Sequence, residues 1–107
     1  MDAELLLRRL GATGNLKGFQ YAIYMIELVK QDPTATTLVT KYLYPATAKY
    51  FGVSAGSVER NMRTLVRTCW NRSDRAIWDE IAGVHVPYQP NNGMFLDITA
   101  AFLRRQK

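Results

Sequence analysis

The chain has 107 residues and a net charge of +5, and 48% of its residues are hydrophobic, which describes one domain able to fold around a single core and not a disordered segment. No apolar run approaches the ~20 residues needed to span a bilayer, and the N-terminal "MDAELLLRRLGATG" carries acids where a signal peptide needs bases. The lone Cys69 can form no internal disulfide and has no Cys/His cluster for zinc, so the expectation is a cytoplasmic protein with no membrane contact and no cofactor.

Helical periodicity dominates, and "GVHVPYQP" at 83–90 is the only stretch that leans toward strand. The pattern predicts a first helix over 2–10, with Leu5, Leu6 and Leu10 apolar and Arg8 and Arg9 outward. The glycines of "GATGN" end it. A second helix over 17–31 carries Phe19, Ala22, Ile23, Met25, Ile26, Leu28 and Val29. It has little polar face, as expected of the central buried helix. Pro33 disfavours helix at Asp32, and a third helix over 35–43 follows with Leu38, Val39, Tyr42 and Leu43. Pro45 suits the first turn of the next helical stretch, which runs to about Phe51. Then come a helix over 55–70, a short one around 74–82, a loop over 83–93 and a last amphipathic helix around 94–105. In that last helix Phe95, Ile98 and Phe102 share a face. The expected fold is all-α: a compact bundle of about six helices in a single domain, with a helix-turn-helix at about 45–70.

The stretch "PATAKYFGVSAGSVERNMRTLVRTCW" at 45–70 carries the functional reading. Ala48 offers the small side chain that lets two helices approach, and Gly52 is the easiest residue to place in a left-handed turn. Phe51, Val53 and Val58 would fill the angle between the helices. Ser54 is placed to cap the second one. At 100° per residue, Val58, Met62, Leu65, Val66 and Cys69 form one stripe about 100° wide. Arg60, Arg63 and Arg67 fall within about 60° of each other on the opposite side, flanked by Ser57, Glu59 and Thr64. On an isolated helix such a face is usually a solvated one.

The location of the charge adds to this. Residues 1–40 and 76–107 each sum to zero, whereas 41–75 hold seven bases (Lys41, Lys49, Arg60, Arg63, Arg67, Arg72, Arg75) against Glu59 and Asp74. The entire surplus lies in that segment, as expected for a polyanion partner. In a major groove, the planar fork of Arg60 would match guanine O6 and N7, and Glu59 would accept from cytosine N4. The alternative for Glu59 is an acid favouring the helix macrodipole. Arg67, two turns on, would reach phosphate or lie outside the groove.

The same residues carry a family resemblance. "LYPATAKYFGVSAGSVERNMRTLVRTCW" resembles the core of the C-terminal effector domain of the stage-zero sporulation response regulator family. The matching residues are Leu43, Tyr44, Pro45, Ala48 and Phe51, then Val58, Glu59, Arg60, Met62, Arg63 and Trp70. "LKGFQY" at 16–21 and the "NNGMFLDITAAFLR" tail are similar as well. The resemblance implies a six-helix domain that binds double-stranded promoter DNA at a short box with a TCGA-containing core. It also implies a homodimer, head-to-tail on tandem sites, and contact of the 74–82 region with RNA polymerase or a neighbouring subunit. By motif position it makes Glu59 and Arg60 base readers and Arg63 a backbone contact. Ser57 stands where the family has a third base-reading arginine, and Thr47 where it has isoleucine. Lys49, Ser54, Thr64 and Arg67 complete the expected backbone contacts. The family's effector normally follows a receiver domain, and these residues hold no acidic cluster with a phosphoacceptor aspartate.

Nothing else in the chain reads as chemistry. His85 stands alone among prolines, with no partner at triad or metal spacing. No phosphate loop, nucleophile elbow or carboxylate pair is present, so no enzyme is expected. Trp70 and Trp78 read as core and not as a base-stacking platform. The competing reading is a receiverless protein-interaction module that modulates a full-length regulator without binding DNA itself.

Overall fold

Four of the six helices begin where a short polar side chain accepts from a free amide of the first turn. The computed structural model describes residues 1–106. Helix α1 spans Ala3–Arg9, with Asp2 accepting from Leu5 N. Helix α2 spans Gly18–Gln31. Helix α3 spans Tyr44–Phe51, and α4 spans Ala55–Arg72 with Ser54 as its cap. Helix α5 spans Arg75–Ala82 behind Asp74, and α6 spans Asn92–Arg105 behind Asn91. These caps matter because the first four N–H groups of a helix have no partner within it. Among the described residues there are six α-helices and no strand.

Helix α2 is the centre of the bundle, as its composition predicts. It packs against α1, α3, α4 and α6 and buries Phe19, Ala22, Met25, Ile26 and Val29. The apolar stripe of α4, Val58 to Cys69, is buried without exception. Full burial of an aliphatic side chain is worth about 1.5–3 kcal/mol. Five such residues on one side therefore dictate which face of α4 points out. Trp78 and Phe95 are fully enclosed and Trp70 nearly so. Their rings pack in a tilted chain, Trp70 to Trp78 at 5.4 Å and Trp78 to Phe95 at 5.9 Å between centroids. The Trp78 Nε1–H donates to Ser73 Oγ, so both tryptophans serve the core and neither is a stacking platform. Cys69 is buried too, and burial pushes its thiol up to about 12.

Three local expectations are corrected. In α1 the buried leucines are Leu6, Leu7 and Leu10, while Leu5 lies half exposed. The third helix is not an α-helix: Pro33–Leu38 is a 3-10 helix and Val39–Leu43 a π turn that runs on into α3. The cause is local. Thr36 and Thr37 hydroxyls donate to the Pro33 and Thr34 carbonyls, three residues back, and reinforce the tighter winding. Leu38 and Tyr42, expected to pack, are exposed. Residues 83–90 form irregular chain, in keeping with the loop expected over 83–93. The Asp79 carboxylate holds this loop onto α5, accepting from Val86 N at 2.8 Å and pairing with His85 Nδ1 at 3.0 Å. The last helix also begins two residues earlier than its apolar pattern indicates, at Asn92.

Candidate nucleic-acid interface

The turn between α3 and α4 is built as the spacing predicts. Gly52 adopts φ 70°, the left-handed conformation that ends a helix without a Cβ penalty. Its N–H and that of Val53 both return to the Ala48 carbonyl. Phe51 and Val53 pack against the core from the angle between the helices, and Val58 closes it from below. Ser54 Oγ accepts from Ser57 N at 3.0 Å. Thr47, buried where an isoleucine would pack, donates its hydroxyl to the Leu43 carbonyl at 2.7 Å. The polar atom is thereby satisfied inside α3, and the helix pair keeps its geometry.

With the apolar stripe buried, α4 presents Ser57, Glu59, Arg60, Arg63, Thr64 and Arg67 away from the core. Arg60, Arg63, Thr64 and Arg67 are exposed, as are Lys49 on α3 and Ser54 at the turn; Ser57 and Glu59 are partly covered. All eight residues expected to touch DNA therefore lie on the helix-turn-helix, six of them along one helix. They are not equivalent. Glu59 pairs with Arg63, one turn on. Both side chains remain well exposed, at 38% and 55%, so the pair is worth only about 0.3–0.5 kcal/mol. Ser57 is engaged by Asn61, whose Nδ2 donates to the Ser57 carbonyl at 2.8 Å and to its hydroxyl at 3.2 Å. Among the described residues, Lys49, Arg60 and Arg67 have neither an ion-pair nor a hydrogen-bond partner.

The basic surplus divides accordingly. Arg72 donates to the Gly11 carbonyl at 3.1 Å, tying the end of α4 to the chain between α1 and α2. Arg75 donates to the Trp70 carbonyl and lies over the Trp70 ring at 3.8 Å. These two guanidinium groups are tied to their own chain while remaining exposed. Among the described residues, the bases of 41–75 with no ion-pair or hydrogen-bond partner are Lys41 on the π turn, Lys49 on α3, and Arg60 and Arg67 on the outer face of α4.

Three positions support this face through contacts that their place in the sequence does not reveal. Gly18 opens α2 directly beneath α4: a Cβ there would stand 2.4 Å from the Asn61 carbonyl oxygen. Tyr44 opens α3 and is buried, and its phenol is raised above the usual value chiefly by that burial. Asn92 opens α6 and donates to the Tyr44 hydroxyl at 2.9 Å and to the Glu59 carbonyl at 3.3 Å. The Asn-Asn pair before an apolar run was the available signal for a helix start at that place; its reach to α3 and α4 was not readable.

Among the described residues no group of three or more His, Cys, Asp or Glu side chains could hold a metal, and no helix is long and apolar enough to cross a membrane. His85 has one partner, Asp79, and serves the loop after α5. Residues 3–103 match the family described as "Sporulation initiation factor Spo0A C terminal". That match spans nearly the whole chain, so the protein belongs to this family, the DNA-binding effector domain of the sporulation regulator.

Proposed function

We propose that the chain regulates transcription by reading a short duplex sequence with the N-terminal turns of α4 in the major groove. The observation that supports this reading is the exposed arginine face of α4, with Arg60 and Arg67 unpartnered, set opposite a fully buried stripe on the second helix of a helix-turn-helix. Arg60 reads guanine, because its fork matches O6 and N7 together. Glu59 accepts from cytosine N4. Ser57 adds a short-range contact in place of an arginine, so the box read differs from the family's at that base. Arg63, Thr64, Lys49, Ser54 and Arg67 hold the phosphate backbone and set register.

The Glu59–Arg63 pair fits this division of labour. A bare carboxylate approaching DNA is repelled by phosphate, and Arg63 neutralises it in advance. Breaking so exposed a pair costs well under 1 kcal/mol, whereas a bidentate base contact returns about 1–3 kcal/mol. DNA can therefore take over both side chains. Family membership further supports action in the cytoplasm, head-to-tail pairing of two copies on tandem sites, and contact of α5 with RNA polymerase or a neighbouring subunit.

The test is Arg60→Ala. Affinity for the selected duplex should fall by about 1–3 kcal/mol, with specificity relaxed at one base pair. A uniform loss across all sequences would remove Arg60 from base readout and leave it a phosphate contact.

A further inference from the structure

The two helices of a helix-turn-helix are joined at the turn and open at the other end. Here the turn end is closed by Gly52, Ser54 and the Phe51–Val53–Val58 contacts. Away from that turn, no hydrogen bond among the described residues joins the start of α3 directly to the second turn of α4. Both instead meet one side chain from α6. Asn92 Nδ2 lies 2.9 Å from the Tyr44 hydroxyl and 3.3 Å from the Glu59 carbonyl. Both protons of that amide are thus committed, one to each helix of the pair. Asn92 is the first residue of α6, and the burial of Phe95, Leu96, Ile98 and Thr99 fixes that helix in the core. The clasp is therefore anchored to the bundle and does not float with the helix-turn-helix. It also lands on Glu59 itself, next to Arg60.

We infer that Asn92 is a positioning residue for base readout: it sets the opening of the α3–α4 pair and so the placement of Glu59 and Arg60 against the groove. This rests on the DNA-reading function proposed above. Phosphate contacts tolerate small displacements, because they are dominated by charge. Base contacts require donors and acceptors in register. Loosening the clasp should therefore spare non-specific binding and degrade discrimination.

The experiment measures affinity for the sequence selected by the wild-type domain and for a scrambled duplex, at one salt concentration, for Asn92→Ala, Tyr44→Phe and the double variant. Asn92→Ala should lose about 3- to 10-fold on the selected sequence, the range set by about one net hydrogen bond, with scrambled-duplex affinity within about twofold of wild type. Tyr44→Phe should shift discrimination the same way by less, and the two losses should not add, because they break one cluster. Should Asn92→Ala not fold, the nearly isosteric Tyr44→Phe carries the test alone. Equal losses on both duplexes, additive losses, or unchanged discrimination would overturn the inference while leaving the DNA-reading function standing. A wild-type domain that prefers no sequence would overturn both.

Discussion

Gly18→Ala is the most revealing single change, because one methyl group tests how α4 is held. The new Cβ would stand 2.4 Å from the Asn61 carbonyl oxygen, 3.0 Å from its carbon and 3.3 Å from Leu65 Cβ. Two of these contacts are with backbone, which cannot swing aside as a flexible side chain would. Helix α4 must retreat from α2 by roughly 0.5–1 Å, a gap that forfeits a quarter to a half of each dispersion contact across the interface. Overpacking of this kind costs about 1–3 kcal/mol. The propensity gain of alanine over glycine opposes it, at up to about 1 kcal/mol in a helix interior and less at a first residue. The clash wins, and a net loss of about 2 kcal/mol corresponds to a melting temperature lower by about 10 °C. Thermal and urea unfolding followed by circular dichroism read this directly. DNA affinity should fall with it, since Asn61 lies between Arg60 and Met62 on the helix that moves. A melting temperature unchanged or raised would refute the reasoning, showing that α2 does not lock α4 in place.

Two further outcomes follow from the caps and the loop. Ser54→Ala removes the acceptor for Ser57 N and should lower stability by about 1 kcal/mol; no change in the urea midpoint would show that the turn holds α4 without its cap. Asp79 is held below the ordinary carboxylate value by its hydrogen bond with His85 and by Val86 N. Its contribution to stability is therefore complete above the unfolded value of about 3.9 and is lost as pH falls through the lower folded value. Asp79→Asn should flatten the fall of the urea midpoint between about pH 5 and pH 2, and a variant profile parallel to wild type would contradict the assignment.

The parts of the fold that sequence made legible are those governed by local periodicity and special backbone angles. The buried stripe of α4, the turn at Gly52, the cap at Ser54 and the central place of α2 all follow from spacing that one helix or one turn imposes on itself. What escaped depends mostly on neighbours distant in sequence, and in one segment on local side-chain hydrogen bonds. Leu5 and Leu7 are equally apolar, and only the docking of a seven-residue helix decides which is buried. The threonines of 34–40 carry no helical signature of their own, yet their hydroxyls pull the winding into a 3-10 turn. Gly18 and Asn92 look like ordinary helix-start residues until the chain brings Asn61, Tyr44 and Glu59 beside them. Around the candidate site, the outward residues were readable on a helical wheel. Their internal pairing, Glu59 with Arg63 and Ser57 with Asn61, was compatible with i,i+4 spacing but not dictated by it.

The central claim is that α4 reads base sequence, and selection of binding sites from random duplex DNA by the purified domain tests it most directly. The expected result is enrichment of one short motif containing a guanine that Arg60→Ala no longer selects. Retention of DNA without enrichment of any motif would contradict the account, reducing the arginine face to a phosphate-binding surface.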